Sequence, residues 1–121
     1  MPFLSLPALI PIKEHLGRTS WKVATPFVYI SKKHRVAVHV PRNFITDLAS
    51  VPRLPLVWLL VGGSAQAAGA IHDYLYRTGQ VSRAVADSIF LEAMADTGVP
   101  WARRWAMYYA VRVGGSTAYK G

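Results

Sequence analysis

AQAAGAIHDYLYRTGQVSRAVADSIFLEAMA, residues 65 to 95, reads as two helices joined at Thr78-Gly79-Gln80. At about 100 degrees per residue, Ala65, Ala68, Gly69, Leu75 and Tyr76 fall within about 60 degrees of His72. His72 therefore belongs to a small, apolar face that should pack inward. Asp73 lies about 100 degrees round, at the edge of that face. On the second helix Ala86, Ile89, Phe90, Ala93 and Met94 form an apolar stripe, with Asp87 at its rim beside Met94. A helix hairpin would carry Asp87 towards His72. An inward histidine with a carboxylate on the facing helix is the arrangement that orients an imidazole as a base. The same residues also admit purely structural roles. A core histidine needs a hydrogen-bond partner whatever its function. Asp73 can pair with Arg77 at i+4, and Asp87 with Arg83 at i−4. Tyr76 can simply fill the core.

The chain has 121 residues, 52% of them apolar, enough for one domain with one packed core. No run reaches the roughly 18 uninterrupted apolar residues of a membrane span. The most apolar stretch, Leu54 to Ala70, is broken by Pro55, Gly62, Gly63 and Gln66. The start, Met-Pro-Phe-Leu, has no basic residue before its apolar stretch, so a secretory leader is not expected. The absence of cysteine excludes a disulfide scaffold and thiolate metal sites. A net charge of +8, from 14 basic and 6 acidic residues, favours anionic partners. The basic residues are scattered, with one cluster, Lys32-Lys33-His34-Arg35. No helix-turn-helix or aromatic strand motif stands out, so specific nucleic-acid binding is not expected.

Outward from the helical pair, residues 1–20 contain Pro2, Pro7 and Pro11 and read as an irregular arm. Residues 21–41 read as a β-hairpin. Trp21 to Ile30 is rich in aromatic and β-branched residues, with Pro26 marking an edge or bulge. Ser31 to His34 forms the turn, and Arg35 to Val40 alternates with Val36, Val38 and Val40 on one face. His39 falls on the opposite, exposed face. Residues 42–64 read as a loop and a short apolar element, with Asp47 and Ser50 inside a proline-bounded stretch. Asp47 can tie the loop locally or come to His72 as a further metal ligand. Ser50 has no base near it in sequence. Residues 65–113 hold three helices. Ser64 caps the first, Ser82 caps the second and Gly98 ends it, and Pro100 starts the third. The third carries Trp101, Trp105, Tyr108 and Tyr109 with Arg103, Arg104 and Arg112. Residues 114–121 form a tail. The expected fold class is α+β: a small antiparallel β element in the N-terminal half packed on three C-terminal helices.

Two motifs, Thr46-Asp47-Leu48-Ala49-Ser50-Val51-Pro52 and Ile71-His72-Asp73-Tyr74-Leu75-Tyr76-Arg77, are followed by Ser82-Arg83 and Ala86-Asp87. Through them residues 25–115 resemble a small domain-of-unknown-function family of tailed phages and prophages. The resemblance implies a phage source, and so a place in the virion or the infected-host cytoplasm. His72, Asp73 and Tyr76, with Asp87 behind, are also similar to the His-Asp helix of phospholipase A-two enzymes. That likeness implies His72 as general base for a water, Asp87 orienting it, and Asp73 binding calcium. Calcium would polarise the ester carbonyl. Only Gly62-Gly63 stands where that family places its calcium loop.

Two function classes follow. One is a virion component, a tail or connector piece within a larger assembly of phage proteins, suited by the proline-rich arm, the aromatic third helix and the tail. The other is a small metal-assisted hydrolase acting on anionic lipid or cell envelope, with His72, Asp87 and Tyr76 catalytic and Asp73 and Asp47 on the metal.

Overall fold

The computed structural model describes residues 8–15, 18–46 and 64–114. Two small antiparallel sheets occupy the N-terminal half and three helices the C-terminal half, an α+β fold. Strands β1 (Ala8–His15), β2 (Arg18–Thr25) and β5 (Ile45–Thr46) form one sheet in the order β1-β2-β5. Strands β3 (Phe27–Ser31) and β4 (Val36–Val40) form a hairpin of their own. Helices α1 (Ser64–Thr78), α2 (Arg83–Asp96) and α3 (Trp101–Gly114) follow.

The strands depart from the sequence reading in two places. The expected irregular arm, residues 1–20, contains most of the β1–β2 pair. Proline is tolerated there because β1 is an edge strand, and the register shifts between Pro11 and Lys13, so no ladder donor is needed at the ring. The expected single hairpin of residues 21–41 is divided at Pro26: β2 pairs with β1 and β5, while β3 pairs with β4. A proline cannot donate, so the ladder changes partner where its donor is missing. The loop expected over 42–64 supplies β5. Asn43, at φ 69, turns the chain back, and its N–H bonds to the Val23 carbonyl at 2.8 Å. The apolar element expected near 56–61 lies outside the described residues.

The helix ends follow their local chemistry. Ser82 caps α2, accepting from the Val85 N–H at 3.3 Å. At the far end Gly98 takes φ 87, a left-handed conformation costly for residues with a Cβ. The Gly98 N–H then reaches the Ala95 carbonyl at 3.2 Å and the Val99 N–H the Met94 carbonyl at 2.9 Å, a Schellman closure. Pro100 follows, its carbonyl accepting from the Arg104 N–H at 2.9 Å as α3 begins.

Helix α2 is the centre of the packing, with α1 on one side, α3 on the other, and β3 laid across it. Ile71 and Leu75 of α1, Ile89, Phe90 and Met94 of α2, Val111 of α3, and Phe27, Tyr29 and Val38 of the hairpin are all essentially fully buried. Each such side chain contributes about 1.5–3 kcal/mol. Ala67, Ala68, Ala70, Ala86 and Ala93, also buried, leave room for close helix approach.

A polar row on α2, Ser88, Glu92 and Asp96, repeats every four residues and fastens the hairpin from the side. Ser88 hydrogen-bonds His34 at 2.9 Å, and Asp96 accepts from the Tyr29 hydroxyl at 2.6 Å. Glu92 accepts from the Ser31 hydroxyl at 2.6 Å and from the Lys32 N–H at 3.0 Å. Ser31 is fully buried. Replacing Glu92 by Ala is therefore expected to cost about 1–3 kcal/mol, since the buried Ser31 hydroxyl loses the acceptor for its proton. Chemical denaturation reads that loss, and amide exchange should speed up at Lys32 and Lys33 while the helix cores stay protected.

Candidate functional site

His72 and Tyr76 stand one turn apart on α1, so both side chains leave the same face. They meet one oxygen of Asp87. The His72 Nε2 lies 2.6 Å from Asp87 Oδ1, and the Tyr76 hydroxyl donates to the same atom at 2.5 Å. The other oxygen, Oδ2, accepts from Arg112 Nη1 of α3 at 2.8 Å, with Arg83 Nη1 at 3.8 Å. Arg83 also donates to the Arg112 carbonyl at 3.0 Å. One carboxylate thus collects side chains from all three helices. His72 and Asp87 are 0% exposed and Tyr76 1%. The His72 ring lies against Tyr76 and Phe90, with centroids at 4.1 and 4.6 Å.

Burial alone would raise the Asp87 pKa. The hydrogen bonds from His72, Tyr76 and Arg112 outweigh it and hold the carboxyl below the ordinary aspartate range. An ionised carboxylate can only accept, so the His72 nitrogen facing it carries the proton. Burial, and then the bond to Asp87, push the Tyr76 hydroxyl up, which keeps it a donor.

Asp73, the neighbour of His72 in sequence, belongs to a different cluster. The Thr46 hydroxyl donates to its Oδ2, and Arg77 Nη2 lies 3.8 Å from the same atom. Arg77 also donates to the Ile45 carbonyl at 2.7 Å and stands 5.1 Å above the Phe44 ring. Phe44 meets Tyr74 edge-on at 5.3 Å. This cluster ties β5, at the start of the proline-bounded stretch, to α1. Asp47 and Ser50 lie outside the described residues. Among the described residues, no group of three or more His, Asp or Glu converges in a way that could hold a metal ion.

The structure brings together His72, Tyr76 and Asp87 and sets Asp73 apart. Sequence reasoning passed over two contributors. Arg112 counts in the sequence only as one more positive charge on the third helix, and only the packing of α3 on α2 aims it at Asp87. Thr46 stands one residue before the acid singled out. Strand alternation held the signal, since Ile45 is 47% exposed and Thr46 fully buried.

Asp87→Asn keeps the shape and removes the charge that Arg112 and His72 face. It is expected to destabilise by on the order of 3 kcal/mol. The pH dependence has a definite sign. The folded-state pKa lies below the unfolded value of about 4, so the stabilisation is complete above that value. It is lost as pH falls through the folded-state pKa. Melting curves of the wild type should drop steeply below about pH 4, and Asp87→Asn should show a shallower fall over the same window.

No curated protein and no solved structure matches the chain. A family model does match, over residues 21–111, from the start of the expected hairpin to Val111 of α3 and so across the His72–Asp87 pair. The chain belongs to the family described as "Protein of unknown function (DUF1353)".

Proposed function

We propose that this protein is a non-catalytic structural component of a tailed-phage virion, a tail or connector piece working within a larger assembly. The observation that supports this most is the complete burial of His72 between Tyr76 and Phe90, with Asp87 equally buried beneath it. A general base must come within hydrogen-bond reach of the proton it removes. An enclosed imidazole bound to a carboxylate instead joins one helix to the next. The phage assignment rests on the two motifs around Asp47 and His72. Assembly is further supported by α3, which exposes Trp101 and Tyr109 to solvent.

A second reading, a small metal-assisted lipid hydrolase, draws on one specific feature. Asp87 pairs with the ring at Nε2, the kind of carboxylate contact that orients a water-activating histidine. In that reading Asp73 and Asp47 would be the residues to hold calcium, and the ion would supply polarisation of an ester carbonyl.

One comparison separates the two. Wild type and His72→Asn are assayed for fatty-acid release from anionic vesicles, with and without calcium, beside their melting curves. The structural reading expects no turnover from the wild type and a loss of about 1–3 kcal/mol in the variant. Calcium-dependent release by the wild type, abolished in a variant that melts normally, would establish the hydrolase instead.

A further inference from the structure

We infer that the tip of the β3–β4 hairpin is a contact site for the phosphate backbone of double-stranded nucleic acid, bound without regard to base sequence. The inference does not depend on whether the His72 site is structural or catalytic. It begins from Lys32-Lys33-His34-Arg35, which forms the whole turn between β3 and β4. Lys32, Lys33 and Arg35 are exposed, and among the described residues no acid pairs with any of the three side chains. The shape of the turn is set through its main chain instead. Glu92 accepts from the Lys32 N–H at 3.0 Å and the Lys33 N–H at 3.4 Å. The His34 N–H donates to the Ser31 hydroxyl oxygen at 3.1 Å, and Arg35 closes the turn at φ 54. A fixed backbone therefore holds three unpaired cations in solvent.

Two acids face the hairpin from α2. Glu92 directs one oxygen to the Ser31 hydroxyl and the other to the two N–H groups, and its charge offsets one of the three cations. Asp96 accepts from Tyr29, two residues before Ser31 and further from the turn along β3. His34 meets only the neutral Ser88 hydroxyl on α2. Neither hairpin strand opposes the cluster, since residues 15 to 46 contain no Asp or Glu. The make-up of the tip then selects the occupant. The exposed large hydrophobic side chains described are Ile45, Trp101, Tyr109 and Val113, none of them on the turn. A protein interface wants an apolar centre and is depleted in lysine. A lipid surface wants inserted apolar side chains, or a cluster of about four to eight cations. A single strand is held by stacking on aromatics. A duplex is held by lysine and arginine on its phosphates alone, each contact releasing counterions. Such contacts carry no base readout, in keeping with the absence of a helix-turn-helix or aromatic strand motif from the sequence.

The test is fluorescence anisotropy of a short labelled DNA duplex of mixed sequence, titrated with the full chain over a range of salt. The same single strand, polyglutamate and phosphatidylglycerol vesicles serve as competitors. Two variants remove the turn's charge: Lys32→Gln combined with Lys33→Gln, and Arg35→Asn, a residue that tolerates a positive φ. Arg42→Gln, exposed beyond the opposite end of β4, is the control for loss of charge alone. Glu92 holds main-chain groups, so melting temperatures should not change, and Arg35→Asn carries the test if the double variant folds poorly. The expected result is duplex binding that weakens at least about tenfold in the double variant, with a log–log salt slope shallower by about two units, roughly 0.9 for each phosphate released. Arg35→Asn should lose several-fold, and Arg42→Gln less than about twofold. No binding of the duplex, or losses at the turn no larger than in Arg42→Gln, would overturn the inference. So would tighter binding to the single strand, polyglutamate or vesicles than to the duplex.

Discussion

The Asp87 carboxylate is the point on which the helical half of the molecule depends. It sits on the middle helix and accepts from His72 and Tyr76 of α1 through one oxygen and from Arg112 of α3 through the other. A buried negative charge is tolerable only with such partners. Hydrophobic contacts between alanine-rich helices are non-directional and would permit sliding by a turn. A charge with fixed donors on both sides does not. The aligned positions of α1, α2 and α3 follow from satisfying that one group, while Ser88, Glu92 and Asp96 place the hairpin on α2.

Economy of negative charge gives the molecule its surface. Four of its six acids are described, and each holds two elements together. Glu92 and Asp96 clamp the hairpin, Asp73 clamps β5, and Asp87 clamps the helices. With these acids engaged in holding elements together, the chain keeps a basic balance of +8.

Much of the helical half was legible in the sequence because it is local. The 3.6-residue period put His72 on an inward face and Asp87 on the rim of the facing stripe, and the ends of α2 were marked by the capping hydroxyl of Ser82 and by the freedom of Gly98, which has no Cβ, to take a positive φ. The sheet was less legible. Proline in β1 argued against a strand, and only pairing on an edge with a register shift admits it. Pro26 was readable as an interruption, but not as the boundary between two sheets. Arg112 could not be assigned because its partner is set by how α3 lies on α2, a non-local fact. Thr46 was hidden beside a more conspicuous acid.

The measurement that bears most directly on the central role of Asp87 is a double-mutant cycle between Tyr76→Phe and Arg112→Gln. These residues sit on different helices and bind opposite oxygens of the same carboxylate. Stability of the wild type, both single variants and the double variant is read by chemical denaturation. If Asp87 couples the outer helices, the two losses will be non-additive by at least about 0.5 kcal/mol. Additivity within about 0.3 kcal/mol would mean that the helices are held independently of the shared carboxylate.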